Sequence, residues 1–150
     1  MPTTMKEIKQ LVRELELNYW VSGQGDFIMI PFQSDKNHIE VVITLHNEGT
    51  FLQFCSRLLP FFGADSTDNE RALQMVNAIN MELRFIKWFH NQEDQSLRAY
   101  GDFWILDGQL TALQFRTMLY SFKNGLFHMQ AKLVGIDNND TLDVKQIAED

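Results

Sequence analysis

The chain has 150 residues, 45% hydrophobic and 22% charged, with a formal net charge of -7. That is enough for one domain with a real core and too apolar for wholesale disorder. Its acidity disfavours nucleic acid or anionic lipid as a general partner, because phosphate binding needs Lys and Arg to displace counterions. A single cysteine, Cys55, excludes an intrachain disulfide and a multi-cysteine metal site.

The first element is a helix predicted over about Met5 to Leu17. Thr4 and Glu7 form a capping box, in which the threonine oxygen takes the N3 amide and the acidic side chain reaches back. Met5, Ile8, Leu11, Val12 and Leu15 line one face. Thr67/Glu70 and Thr111/Gln114 repeat the box and predict two further helix starts. The N-terminus shows no signal-peptide pattern, and no apolar run reaches the ~20 residues of a membrane span. The expectation is a cytoplasmic protein with no membrane partner.

Tyr19 to Val21 is a short extended segment ended by the turn Ser22-Gly23-Gln24-Gly25. From there the period changes. Asp26 to Gln33, Ile39 to Leu45 and Thr50 to Arg57 read as an antiparallel meander, joined through Ser34-Asp35-Lys36-Asn37 and Asn47-Glu48-Gly49. Leu58 to Gly63 is an apolar connection expected to pack down.

A second helix is predicted over about Asp68 to Leu83, with Asn77 and Asn80 one turn apart beside its apolar stripe. Phe85 to Phe89 and Leu97 to Leu106 form another strand pair, stopped by Asp107-Gly108. The third helix begins at Thr111 and reaches toward Leu133, with a break or bend expected near Asn124-Gly125. Phe115, Leu119, Phe122, Leu126, Met129 and Leu133 step by four, three, four, three and four. Such a seam wants a neighbour along its length. One reading is core packing within the monomer; the other takes Phe115, Leu119, Phe122 and Leu126 as a dimer seam. Residues 136–150 carry five acids against Lys145, and are expected to form an acidic tail beyond a domain spanning 1–135.

Little in the sequence points to chemistry. His38, His46, His90 and His128 are far apart, and within the predicted helices none has a ligand-type partner three or four residues away. His38 and His46 sit at opposite ends of one strand, ~26 Å apart. Cys55 lies in an apolar strand, a setting for an inert thiol. Ser22 to Gly25 lacks the third glycine and the Lys of a phosphate loop. Asp137, Asn139 and Thr141 alternate like calcium ligands, but Leu142 and Ala148 stand where an EF-hand needs Gly and Glu. No catalytic set, cofactor site or metal site is assigned. One strand face does suggest binding: Arg98, Tyr100, Asp102 and Trp104 share a side, opposite Leu97, Ala99, Gly101, Phe103 and Ile105. Trp88, Arg98, Tyr100 and Trp104 are therefore the candidate partner-binding residues, since rigid aromatics and Arg dominate protein-binding hot spots. Two-sided packing is the competing explanation, and single-stranded RNA, which could stack on the aromatics, is opposed by the acidity.

Asn77-Ala78-Ile79-Asn80 running into a strand pair, then Gly108-Gln109-Leu110-Thr111 leading into a long apolar helix, resembles the YbjN family of bacterial proteins over roughly residues 3–135. Members are labelled sensory transduction regulators, and their fold is similar to type III secretion chaperones. The resemblance implies an α+β fold of order α-β-β-β-α-β-β-α, often a homodimer. Tyr19 to Val21 or Thr50 to Arg57 would add a strand, giving an antiparallel sheet of five or six strands with three helices. The absence of a catalytic set points to a non-enzymatic module, and the chaperone likeness suggests one that holds an extended segment of another protein. The alternative is a small-molecule-binding protein or enzyme with a pocket between helix and sheet.

Overall fold

The computed structural model describes residues 3–34, 37–58, 66–106 and 108–137; for 66–69 and 134–137 it describes the backbone alone. In chain order the elements are α1 (Met5–Glu14), β1 (Trp20–Val21), β2 (Phe27–Ser34), β3 (Asn37–His46), β4 (Phe51–Leu58), α2 (Ser66–Glu82), β5 (Lys87–Asn91), β6 (Ser96–Trp104) and α3 (Ala112–Asp137). The strands form one sheet of order β1-β2-β3-β4-β6-β5, antiparallel throughout. The fold is α+β with three helices and six strands, so the short Tyr19 to Val21 segment and Thr50 to Arg57 both count as strands.

Alternation decides the two faces. Ile28, Ile30 and Phe32 pair with Ile43, Val41 and Ile39, and Ile43 pairs in turn with Phe54. Leu52, Phe54 and Leu58 stand beside Phe103, Gly101 and Leu97. These residues merge with Ile8 and Val12 of α1, Ala72, Met75, Val76 and Ile79 of α2, and the whole stripe of α3 into a single core. Phe54 is at its middle, its ring 5.8 Å from Phe122 and 6.0 Å from both Phe85 and Phe115.

One of the expected capping boxes is complete and a second is half made. Thr4 Oγ1 accepts from the Glu7 amide at 3.3 Å. At α3 the reciprocal pair is complete: the Gln114 amide donates to Thr111 Oγ1 and the Thr111 amide to Gln114 Oε1. The third misses by register, because α2 already begins at Ser66 and Thr67 is helical rather than a cap; the Thr67 side chain lies outside the described residues. Helix α1 stops at Glu14, short of the predicted Leu17, where Glu16 takes a left-handed φ of 57°.

The third helix is continuous through Asn124-Gly125, contrary to the expected break. Gly125 is there for proximity, since a Cβ would stand 2.7 Å from Ile86 Cγ2 and 2.9 Å from its Cδ1. The seam is likewise not a dimer surface: Phe115, Leu119, Phe122 and Leu126 are all at 0% exposure, pressed onto the sheet of their own subunit. A repeat of 3.5 residues requires a cover, and the sheet supplies it.

Both sheet edges are blunted. On β5, Asn80 of α2 takes the Trp88 amide on Oδ1 at 2.8 Å and donates Nδ2 to the Trp88 carbonyl at 2.9 Å. On β2, the Phe27 carbonyl points outward to the Ser22 amide. By alternation Pro31 faces the same edge, beyond the reach of the two-residue β1, and it has no N–H to offer. Extension of the sheet by another strand is thereby discouraged at each side. Most of the apolar connection after Leu58, residue Asp107 of the expected stop, and the tail beyond Asp137 lie outside the described residues.

Candidate functional site: the open face of the sheet

All three helices bury their apolar residues against the same face, so no described helix covers the other. Pairing register lays the open face out in rows across the strands. A central row runs Trp20, Met29, Val42, Cys55, Tyr100, Lys87 from β1 to β5. On one side of it lie Phe27, Thr44, Gln53 and Asp102, then His46, Phe51 and Trp104. On the other side lie Pro31 and Glu40, then Arg57, Arg98 and Phe89.

Aromatic rings are concentrated here. Phe51 meets Trp104 edge-on at 4.7 Å, Phe89 stacks on Tyr100 at 5.5 Å, and Trp20 lies 5.5 Å from Phe27. Trp20 and Trp104 are more than half exposed, at 52% and 54%. The large apolar side chains of this face are absent from the core. They are held in place by strands yet facing water, the arrangement expected of a docking surface.

The polar groups are pre-ordered. Gln53 donates to Asp102 Oδ1 at 2.9 Å, and Thr44 bonds His46 Nε2 at 2.9 Å. Asp94 accepts from the Ser96 hydroxyl and amide and from Arg98, and Arg57 stands 3.4 Å away. The Ser96 hydroxyl and the Arg98 guanidinium hold the Asp94 carboxyl far below the usual carboxylate range. Arg98 is thus fixed in orientation. Burial, with the Asp102 carboxylate adding to it, pushes the Cys55 thiol up, which keeps it protonated and unreactive as a nucleophile at neutral pH.

Of the four residues singled out from the sequence, Arg98, Tyr100 and Trp104 share this face. Trp88 does not. It pairs with Ala99, points into the core and is 3% exposed. Trp20, Phe27, Phe51 and Phe89 also belong to this face and were not among the residues singled out from the sequence, although Phe51 stands directly opposite Trp104.

Away from this face, an apolar groove of ≈ 310 Å³ runs between β6 and the start of α3, lined by Phe103, Leu113, Gln114, Thr117 and Met118. No group of three or more His, Cys, Asp or Glu side chains converges among the described residues. Among them no helix is long and apolar enough to cross a membrane.

The sequence profile of the YbjN family, described as "Putative bacterial sensory transduction regulator", matches residues 4–124. The chain belongs to the YbjN family. Among solved structures it is similar to YbjN from E. coli, described as a putative transcription regulator, with a TM-score of 0.66 at 13% identity over 94% of this chain and 97% of that one. A chain of the ExsC–ExsE complex aligns with a TM-score of 0.51 at 13% identity, covering 87% of this chain and 96% of that one. A chain of the HopA1–SchA chaperone–effector complex aligns at 0.50 and 11% identity, covering 81% and 92%. No curated protein matches the chain. At these identities the likeness is one of fold: this YbjN-family member shares its α+β architecture with type III secretion chaperones.

Proposed function

We propose that this YbjN-family chain is a non-enzymatic, cytoplasmic protein-binding module, regulatory or chaperone-like, that acts as a homodimer and docks polypeptide on its open sheet face. The observation carrying this is the six-stranded face that no described helix covers, with Trp20, Tyr100 and Trp104 on its strands. Arg98, Tyr100 and Trp104 are the contact residues in this reading, with Arg98 pre-oriented by Asp94. Solved complexes with similar folds, one of them a chaperone with its effector, support a protein partner. The test is affinity capture from native lysate with the wild type and with Tyr100→Glu and Trp104→Ser in parallel. Partners should be lost with both variants; the same proteins recovered with all three baits would refute the reading.

A second reading rests on the groove between β6 and α3. Its lining is almost wholly apolar, with Gln114 and Thr117 as the polar residues of the wall. A small apolar ligand fits that chemistry, and a thermal shift in a metabolite screen, abolished by Met118→Lys, would establish it.

A further inference from the structure

Asn80 closes β5 at Trp88, but β6 outruns β5. Register pairs Lys87–Asn91 with Ser96–Tyr100 only, while β6 continues to Trp104. Just before β5 the chain turns away, with Phe85 at a left-handed φ of 72° and the Ile86 amide bonded to the Arg84 carbonyl. The Phe85 ring sits on the helix side, 2.8 Å from where a Cβ on Gly101 would stand. The Ile105 amide donates to the Thr50 carbonyl at the head of β4. That bond sets the phase of the ladder: odd residues of β6 turn their backbone groups to β4, and even residues turn theirs away. The amides and carbonyls of Asp102 and Trp104 therefore face the side that β5 has left. Among the described residues none of these four groups has a partner.

Side chains beside this stretch alternate in character. Phe103 points to the helix side and lines the ≈ 310 Å³ apolar groove together with Leu113, Thr117 and Met118 of α3. Asp102 and Trp104 point to the open face. Asp102 accepts from Gln53 on Oδ1, and its Oδ2 has no partner among the described residues. We propose that an extended segment of an unlike protein adds here as a seventh, antiparallel strand beside Asp102–Trp104, setting an apolar side chain in the groove and a Lys or Arg against Asp102. A strand supplies main-chain pairing and side chains that alternate at ~3.3 Å steps, which is what this edge calls for. A small apolar molecule would fill the groove and leave the four backbone groups unmet. The net charge of -7 steers a basic segment toward the chain. The inference goes beyond the open-face reading, adding a main-chain site on the edge next to that face.

A display library of random seven-residue peptides, selected on the full chain, supplies the probe. Enriched peptides should place Lys or Arg next to an apolar residue within a run of strand-forming residues. In a synthetic copy of the strongest, N-methylation of that Lys or Arg removes the N–H given to Asp102 and should weaken binding about ten-fold. N-methylation of the adjacent apolar residue, whose amide points away from β6, should change it by about two-fold or less. The Asp102 and Trp104 amides should gain hydrogen-exchange protection on binding. Asp102→Lys should weaken the peptide and be rescued by Glu in place of the peptide's Lys. Thr117→Arg should block the groove and abolish binding with the circular dichroism spectrum unchanged. Equal effects of the two N-methylations overturn the proposal, because the groove would then take a side chain or small molecule without a strand. No enriched peptide, or peptides that bind Asp102→Lys and Thr117→Arg as well as the wild type, overturn it too. So does a mass in light scattering that falls on Thr117→Arg, which would give the edge to a second copy. The open-face reading fails separately, if lysate partners bind the Tyr100→Glu and Trp104→Ser baits as well as the wild type.

Discussion

The amide side chain of Asn80 hydrogen-bonds both backbone groups of Trp88, standing in for the neighbouring strand that β5 lacks. The preceding residue adds to the clamp, because Lys87 Nζ donates to the Asn80 and Leu83 carbonyls at the end of α2. One amide therefore closes a sheet edge and fixes the helix–strand corner together.

Asn80→Ala should cost about 2–3 kcal/mol, because the Trp88 amide and carbonyl would be left unpaired in a part-buried setting. Urea unfolding measures the loss. Asn80→Asp keeps an acceptor for the amide but sets a carboxylate against the carbonyl, so it should fall between the two. Light scattering should also show higher oligomers in the Ala variant as the edge opens.

Gly125→Ala should destabilise by about 1–3 kcal/mol despite the better helix propensity of alanine, since the new methyl overlaps Ile86. Ile86→Ala alone should also cost stability. The double variant should be less destabilised than the two added together by at least about 1 kcal/mol, which a double-mutant cycle resolves. Full additivity would show that the close approach is not what selects glycine.

Stability should fall with acidity through His128. Its side chain is 3% exposed and neither ring nitrogen has a hydrogen-bond partner. Burial pushes its pKa below 6.5, Lys132 adds to that, and the Glu82 carboxylate 3.9 Å away opposes it. A folded-state pKa below the unfolded one means the contribution is intact above about pH 6.5 and is lost as pH drops through the folded value. The urea midpoint of the wild type should decline from pH 7.5 to 5, and His128→Leu should flatten that slope.

Core and open face should respond differently to truncation. Phe54→Ala should cost about 3–5 kcal/mol, because three aromatic neighbours close around its ring. Trp104→Ser should change monomer stability by no more than about 1 kcal/mol, being largely in water. Equal effects would contradict the assignment of Trp104 to a docking surface.

Periodicity was enough to read the elements and the two sides of β6, because alternation along that strand and the caps at Thr4 and Thr111 are local physics. What covers an element is not local. The α3 stripe shows that Phe115 and Phe122 need a neighbour, and only tertiary packing reveals it to be the sheet. Trp88 was grouped with Arg98 because the sequence leaves the β5–β6 register open; pairing with Ala99 turns it inward. Gly125 looks like a helix breaker until Ile86 is placed against it. The open face escaped for the same reason: Phe51, Trp20 and Phe89 become neighbours of the β6 aromatics only once six strands are in order.

The helix that lies across β3 and β4 is also the last described element to be synthesised. At ~5–20 residues per second, on the order of ten seconds separate the completion of β4 from the emergence of α3. During that interval α3 is missing from β3 and β4 of the nascent sheet, and Ile43 and Phe54 lack the cover they have in the folded chain. Ribosome-associated factors that shield greasy segments should therefore engage this chain until Leu133 clears the exit tunnel.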